Sequence, residues 1–323
     1  MNGCIRSTVH DDWMASAIDE LHAETQTVAT LRREDEVDGV FACARKERHV
    51  SRAGTPYLTR ELRDSSGTIV ARAFRDADVL AGRFERGDLV RVRGRVERFR
   101  DELQIDVRAI GRAAGEEADP TRFLPTAYRD LDELEGFLEH LAREVYDVPL
   151  KAMLGRLLGD AELRAEIRRA PCSIPPQGTG PGRGGFAHHA YLGGLLEHTV
   201  AVGTMALELC AQHPRLDRDL LLSAAIVHDL GKTREFTYGA EIGRSSQGRL
   251  LGHIQLGLRV LAEHSPGELA DDRRLALEHC VLLHHGSEAA AGQRFASAEA
   301  LALYRLNALD SQVKGVLEHG LGR

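Results

Sequence analysis

Residues 221–232, read as LLSAAIVHDLGK, constrain this chain more than any other stretch. An apolar run closes on His228 and Asp229 side by side, and Gly231 and Lys232 follow. Aliphatic surroundings penalise an imidazole and a carboxylate alike unless something pairs them. A metal ion is the commonest such partner. A helical domain with such a segment at its centre has to bring further ligands from elsewhere in the chain.

The chain offers them in order. Residues 195–212 read as an amphipathic helix with His198 in its first turn. His253 stands in GRLLGHIQLG, near the start of another helix. His284-His285-Gly286 ends the run 277–283, and Asp310 lies in the helical string EALALYRLNALDSQ. One histidine among 15 says little, but the order H…HD…H…HH…D on successive helices says more. Leu131, Leu134, Leu138 and Leu141, then Leu150, Met153, Leu154, Leu157 and Leu158, recur at helical spacing and read as core.

The front of the chain has a different period. Residues 37–50, 57–63, 68–75, 89–99 and 103–110 read as strands, with a short helix over 77–84. Gly54-Thr55-Pro56, Asp64-Ser65-Ser66-Gly67 and Arg100-Asp101-Glu102 supply turns. In the fourth strand Val90, Val92 and Val96 alternate with Arg91, Arg93 and Arg95, giving one apolar and one basic face. Five strands with a helix between the third and fourth are the order of an OB-fold β-barrel, which binds oligonucleotides. The basic face and the aromatics Tyr57 and Phe99 suit single strands, with bases on rings and arginines along phosphate. Phe74 follows the apolar register and reads as core. A solvated outer face explains the arginines equally well.

These readings divide the chain into a polar lead-in (1–34, with a helix around 11–22), an OB domain (35–113), a linker (114–126) and an all-α bundle (127–323). The net charge of −7 does not by itself suggest a nucleic-acid binder, but residues 30–112 carry 19 basic against 15 acidic side chains. A mildly basic module is thus joined to an acidic one. No stretch is apolar enough to span a membrane and the N-terminus lacks a signal-peptide core, so a cytoplasmic protein is expected. The five scattered cysteines (Cys4, Cys43, Cys172, Cys210, Cys280) form no C-x-x-C pair and read as buried or idle reduced thiols. The Pro- and Gly-rich residues 171–186 read as a rim or lid before His188 and His189.

The ordered ligand set resembles the HD-domain metal-dependent phosphohydrolases. Joined to an OB fold, it more closely resembles the YhaM-type 3′-5′ exoribonucleases, through GGLLEHT (193–199), HDLGK (228–232), GRLLGHI (248–254), HHG (284–286) and SAEALAL…LD (297–310). The resemblance implies that His198, His228, Asp229 and Asp310 hold one metal, that His253 and His284 hold a second, and that Asp229 bridges the two. Gly194 stands where cyclic-di-GMP phosphodiesterases carry a glutamate for a third metal, so two ions are expected. Mixed His and Asp ligands suit Mn²⁺, with Fe²⁺ next, over Mg²⁺. Lys232 is expected to support phosphate charge or position water, and His285, His188 and His189 to contact phosphate or protonate the leaving group. Asn307, where the family usually has aspartate, and residues 287–296 depart from the pattern. The implied activity is release of nucleoside 5′-monophosphates from the 3′ end of single-stranded RNA or DNA. A nucleotide or cyclic-nucleotide phosphohydrolase, and a binding protein with an inactive HD site, are the alternatives. No membrane partner is implied, and a homo-oligomer is compatible.

Overall fold

The computed structural model describes residues 26–50, 56–64, 66–74, 77–175, 187–265, 267, 269–287 and 294–320. The helix expected around 11–22 lies outside them, as do most of the Gly-rich segment and residues 288–293. The chain divides into two compact units between Phe123 and Leu124.

The first unit is a closed barrel in the order β1-β2-β3-β5-β4, formed by β1 (Glu36–Val50), β2 (Pro56–Arg63), β3 (Thr68–Ala73), β4 (Leu89–Phe99) and β5 (Glu102–Arg112). Among these five strands β3 and β5 pair in parallel and the other pairs are antiparallel. Val90, Val92 and Val96 point into the core, together with Phe41, Leu58, Leu62 and Ile105. At Gly94 the β4–β5 register shifts, and a Cβ there would lie 2.3 Å from the Asp106 carbonyl oxygen. Only glycine lets the strands cross that closely. Helix α1 (Ala77–Ala81) is shorter than expected: the chain turns at Gly82 and Arg83, and Phe84 drops into the core.

Phe74 is not core. Ile69, Ala71 and Ala73 are the inward residues of β3, so Phe74 falls on the outer register and is 48% exposed.

The second unit holds α2 (Leu131–Arg143), α3 (Val148–Gly159), α4 (Ala161–Arg169), α5 (Gly194–Gln212), α6 (Arg218–Val227), α7 (Lys232–Glu235), α8 (Ser246–His264), α9 (Asp271–Leu283) and α10 (Ala298–His319). A two-stranded ribbon, β6 (Phe236–Tyr238) with β7 (Ile242–Arg244), separates α7 from α8. The leucines read at helical spacing pack with α5, α6, α9 and α10 into one core, with Leu131 and Leu158 at its margin. Asp130, Asp147, Asp160 and Asp217 each cap a helix by accepting backbone N–H groups. Part of the domain's acidic surplus therefore serves helix starts.

Candidate metal centre and nucleic-acid surface

Helix α6 is buried from Leu220 to Val227, and His228 caps its C-terminus. The His228 Nδ1 lies 2.9 Å from the Ala225 carbonyl. His284 caps α9 in the same way, its Nδ1 2.5 Å from the Val281 carbonyl. His253 Nδ1 faces Glu235 Oε2 at 3.2 Å, and His198 Nδ1 faces Asp310 Oδ2 at 2.6 Å. A carbonyl or carboxylate faces Nδ1 in each case and can accept its proton. With the proton there, Nε2 presents its lone pair, the tautomer a metal requires.

All four Nε2 atoms converge on Asp229. Its Oδ2 is 3.4 Å from those of both His198 and His228, and its Oδ1 is 3.6 Å from that of His253 and 3.5 Å from that of His284. One carboxylate thus offers one oxygen to each of two imidazole pairs. The His198 and His228 Nε2 atoms lie 3.1 Å apart, as do those of His253 and His285 at 3.0 Å. Asp229 Oδ1 and His284 Nε2 are buried without a hydrogen-bond partner among the described residues. Buried lone pairs facing one another are costly unless an electrophile lies between them. Burial holds His198 neutral with its pKa lowered to about 3, and His284 to about 4. Burial opposes ionisation of Asp229, but Lys232 and the surrounding imidazoles outweigh it and hold the carboxyl well below its usual range. The donor set fits divalent cations: His198, His228 and Asp229 form one group within 4.8 Å, and Asp229, His253, His284 and His285 another.

The glycine of HDLGK has a steric reason. A Cβ on Gly231 would lie 1.8 Å from the His253 carbonyl oxygen, so only glycine lets α7 start against the segment carrying His253. Within α8 the helix breaks at Gly252 (φ 69°), immediately before His253. Lys232, buried in α7, donates to Asp229 Oδ2 at 2.7 Å and to Cys172 Sγ at 3.2 Å.

Cys172 is a free, buried thiol as expected, and its Sγ lies 3.7 Å from His188 Nε2 and 3.8 Å from Asp229 Oδ2. No spacing rule points to it, because the loop after α4 brings it there. Glu235 and Tyr191 also escape sequence reading, since each acts by orienting a histidine. His285 lies with the second ligand group at the surface. His189 departs most from expectation. It is 1% exposed with both ring nitrogens engaged, by Asp310 Oδ2 at 3.0 Å and the Tyr191 hydroxyl at 2.9 Å, so none is free for phosphate. Asp310 lies at the Nδ1 of His198, whereas His228 and Asp229 face its Nε2. Asn307 donates from Nδ2 to the His284 carbonyl at 3.1 Å.

On the barrel, His49, Tyr57 and Phe74 stack in a row across β1, β2 and the end of β3, with centroids 5.4 and 5.5 Å apart. Phe99 is 45% exposed, with the Arg72 guanidinium 4.9 Å from its ring centre. The arginine stripe is less basic than it reads. Strand β1 sets Asp38 opposite Arg93 and Glu36 opposite Arg95. Asp38 pairs with both Arg91 and Arg93, Glu117 with Arg91, and Glu34 with Arg95.

Comparison with known proteins places an HD domain at residues 195–312 and an OB-fold nucleic acid binding domain at 44–111. The chain is 28% identical over 256 residues to the 3′-5′ exoribonuclease YhaM of Bacillus velezensis, covering 78% of this chain and 77% of that protein. It is 26% identical over 254 residues to YhaM of Bacillus subtilis, with the same shares. The small single-stranded DNA-binding protein of Streptomyces coelicolor overlaps 25% of this chain and 94% of its own, at 21% identity and a TM-score of 0.23. No helix among the described residues is long and apolar enough to cross a membrane.

Proposed function

We propose that this HD-domain phosphohydrolase, a homologue of the YhaM-type 3′-5′ exoribonucleases with an OB fold in the same chain, is itself a metal-dependent 3′-5′ exonuclease. Its substrate is single-stranded RNA, with DNA the second polymer, and its product is the nucleoside 5′-monophosphate. The reading places it in the cytoplasm, in keeping with its free, buried thiols Cys43, Cys172, Cys210 and Cys280.

The observation that carries this reading is the two-sided environment of Asp229, with one oxygen toward His198 and His228 and the other toward His253 and His284. Two divalent ions held there would supply a hydroxide near neutral pH and neutralise phosphoryl charge. The mixed nitrogen and oxygen donors favour Mn²⁺ or Fe²⁺. His198 and His228 with Asp229 would hold one ion, and Asp229 with His253, His284 and His285 the other. Asp310, at the Nδ1 of His198, orients that ring for the first. Lys232 balances the Asp229 charge beside the reacting phosphate. The stacked His49, Tyr57 and Phe74, with Phe99, hold the bases of the single strand.

Incubation with Mn²⁺ and 5′-labelled single-stranded RNA, single-stranded DNA or free nucleotides tests this. The expected result is a ladder shortening from the 3′ end, abolished in Asp229→Ala. The acid-paired Arg91, Arg93 and Arg95 favour one second reading, hydrolysis of a small nucleotide. Turnover of nucleotides with oligomers left intact selects it.

A further inference from the structure

The metal centre rests on a second buried network that the reaction does not use directly. His189 sits where the chain enters α5, with its backbone in the left-handed region at φ 49°. A side-chain-bearing residue adopts that conformation rarely, and it persists only where surrounding contacts impose it. Here the contacts are carboxylates on two sides. Asp310 Oδ2 lies 3.0 Å from Nε2, and Glu197 Oε2 lies 3.4 Å from Nδ1. Tyr191 closes the second side: its oxygen is 2.9 Å from Nδ1, and its hydroxyl donates to Glu197 Oε2 at 2.6 Å. Lys314 donates to the other Glu197 oxygen at 3.1 Å. The His189 N–H also points to Glu318 Oε1 at 3.4 Å, so the backbone is tied to α10 like the ring.

The chain of contacts ends on Asp310, whose same Oδ2 faces His198 at 2.6 Å. Two imidazoles therefore converge on one oxygen of one carboxylate, which fixes its rotation. We propose that His189 is a positioning residue that holds the Asp310 carboxylate for the metal centre, braced from behind by Tyr191, Glu197 and Lys314. It acts through Asp310 and never touches substrate. This rests on the reading of Asp310 as the carboxylate that orients His198 for the first metal position. Loss of such an orienting partner costs about 10–100-fold in metal affinity.

The test compares His189→Ala, His189→Gln and Tyr191→Phe with Asp310→Ala in the full chain. Three quantities are read: Mn²⁺ affinity, from the paramagnetic resonance of free Mn²⁺; the melting temperature in EDTA; and kcat and KM on 5′-labelled single-stranded RNA. His189→Ala weakens Mn²⁺ binding about 10–100-fold with KM unchanged, and saturating Mn²⁺ restores much of kcat. Glutamine, whose amide can still donate to Asp310, recovers most of the affinity. Tyr191→Phe, which leaves the Asp310 contact intact, weakens it in the same direction but less. A raised KM at unchanged Mn²⁺ affinity makes His189 a substrate contact and overturns the proposal. So does an equal loss of melting temperature in the alanine and glutamine variants with Mn²⁺ affinity intact. Unaltered Mn²⁺ affinity in Asp310→Ala removes the reading beneath, whereas unaltered affinity in His189→Ala alone removes only this inference.

Discussion

The Lys232 ammonium lies 2.7 Å from Asp229 Oδ2, with both side chains buried. Burial works against the ammonium, but attraction to Asp229 outweighs it and holds the lysine protonated. Removing one partner of a buried pair leaves the other uncompensated, at a cost of about 3–5 kcal/mol. Bound divalent metal supplies compensating charge to the same carboxylate. Lys232→Met should therefore destabilise the EDTA-treated protein by about that amount and the Mn²⁺-saturated protein by much less. Urea denaturation under both conditions checks it, and an equal loss in the two would refute the compensation.

Asn307 shows why an amide suits its position in this chain. Its Nδ2 donates to the His284 carbonyl, and a carboxylate there has no proton to give. Asn307→Asp sets two acceptors together in a buried place, at a cost of about 1–3 kcal/mol. Because His284 caps α9, the variant should also weaken the second metal position more than the first. Calorimetric melting together with the stoichiometry of Mn²⁺ binding reads both effects. A variant as stable as the parent would mean that the hydrogen bond contributes nothing.

How much of this was legible in the sequence depends on the physics involved. The barrel was readable because period-two alternation in β4 has one solution when one face is buried. The histidines and aspartate that cluster around Asp229 were readable because ionisable groups stand out at the ends of apolar helices. What contact across the chain decides was not readable. Asp38 neutralises Arg91 and Arg93 only because β1 pairs with β4 in one register. Cys172 enters the site through the fold of a loop, and Phe74 turns outward because the inward register belongs to Ala71 and Ala73. Histidine spacing also could not tell that His189 spends both nitrogens on neighbouring side chains.

The buried histidines set a pH dependence for the metal-free protein. His198 and His284 are depressed by burial to about 3 and about 4, below the roughly 6.5 of a free imidazole. Between those values the unfolded chain binds more protons than the folded one, so stability rises with pH. Their contribution is complete above about pH 6.5 and is lost as the pH falls toward 4. Asp229 and Asp310, also depressed, lose theirs at still lower pH, in the same direction. His189 is raised; burial opposes protonation but Asp310 and Glu197 prevail, so its contribution is lost as pH rises through its folded value. The EDTA-treated protein should be most stable near neutrality and weaken by several kcal/mol on acidification to about pH 4.5. Urea midpoints across that range measure it, and a flat profile between about pH 5 and 7 contradicts neutral, buried imidazoles.

The stacked row on the barrel and the arginine stripe predict different things. Stacking of a base on an aromatic ring contributes about 1–3 kcal/mol. Tyr57→Ala and Phe74→Ala should each weaken binding of single-stranded oligonucleotides by that amount, with little change in the salt slope. Arg91→Ala and Arg93→Ala, which also release the Asp38 carboxylate, should change affinity much less. Fluorescence anisotropy with a labelled homopolymer at two salt concentrations separates them. The reverse ranking would return the stripe to its first reading as a phosphate track.

Arg60 makes the barrel's least expected claim. It lies on β2 between Leu58 and Leu62, shares their inward face, and is 1% exposed. Among the described residues none hydrogen-bonds to its Nε, Nη1 or Nη2; the guanidinium rests 4.9 Å from the centre of the Phe84 ring. Burial lowers its pKa to about 10, so it stays charged at neutral pH with no anion among the described residues to balance it. Cation–π attraction returns about 2 kcal/mol when desolvated, against a larger cost of burying the ion. Methionine fills much of the same volume without a charge. Arg60→Met should therefore raise the stability of the barrel by about 1–3 kcal/mol and leave Mn²⁺-dependent catalysis on short substrates unchanged. Calorimetry on the full chain measures the shift. A lower melting temperature would show that contact with Phe84 outweighs the desolvation of the guanidinium.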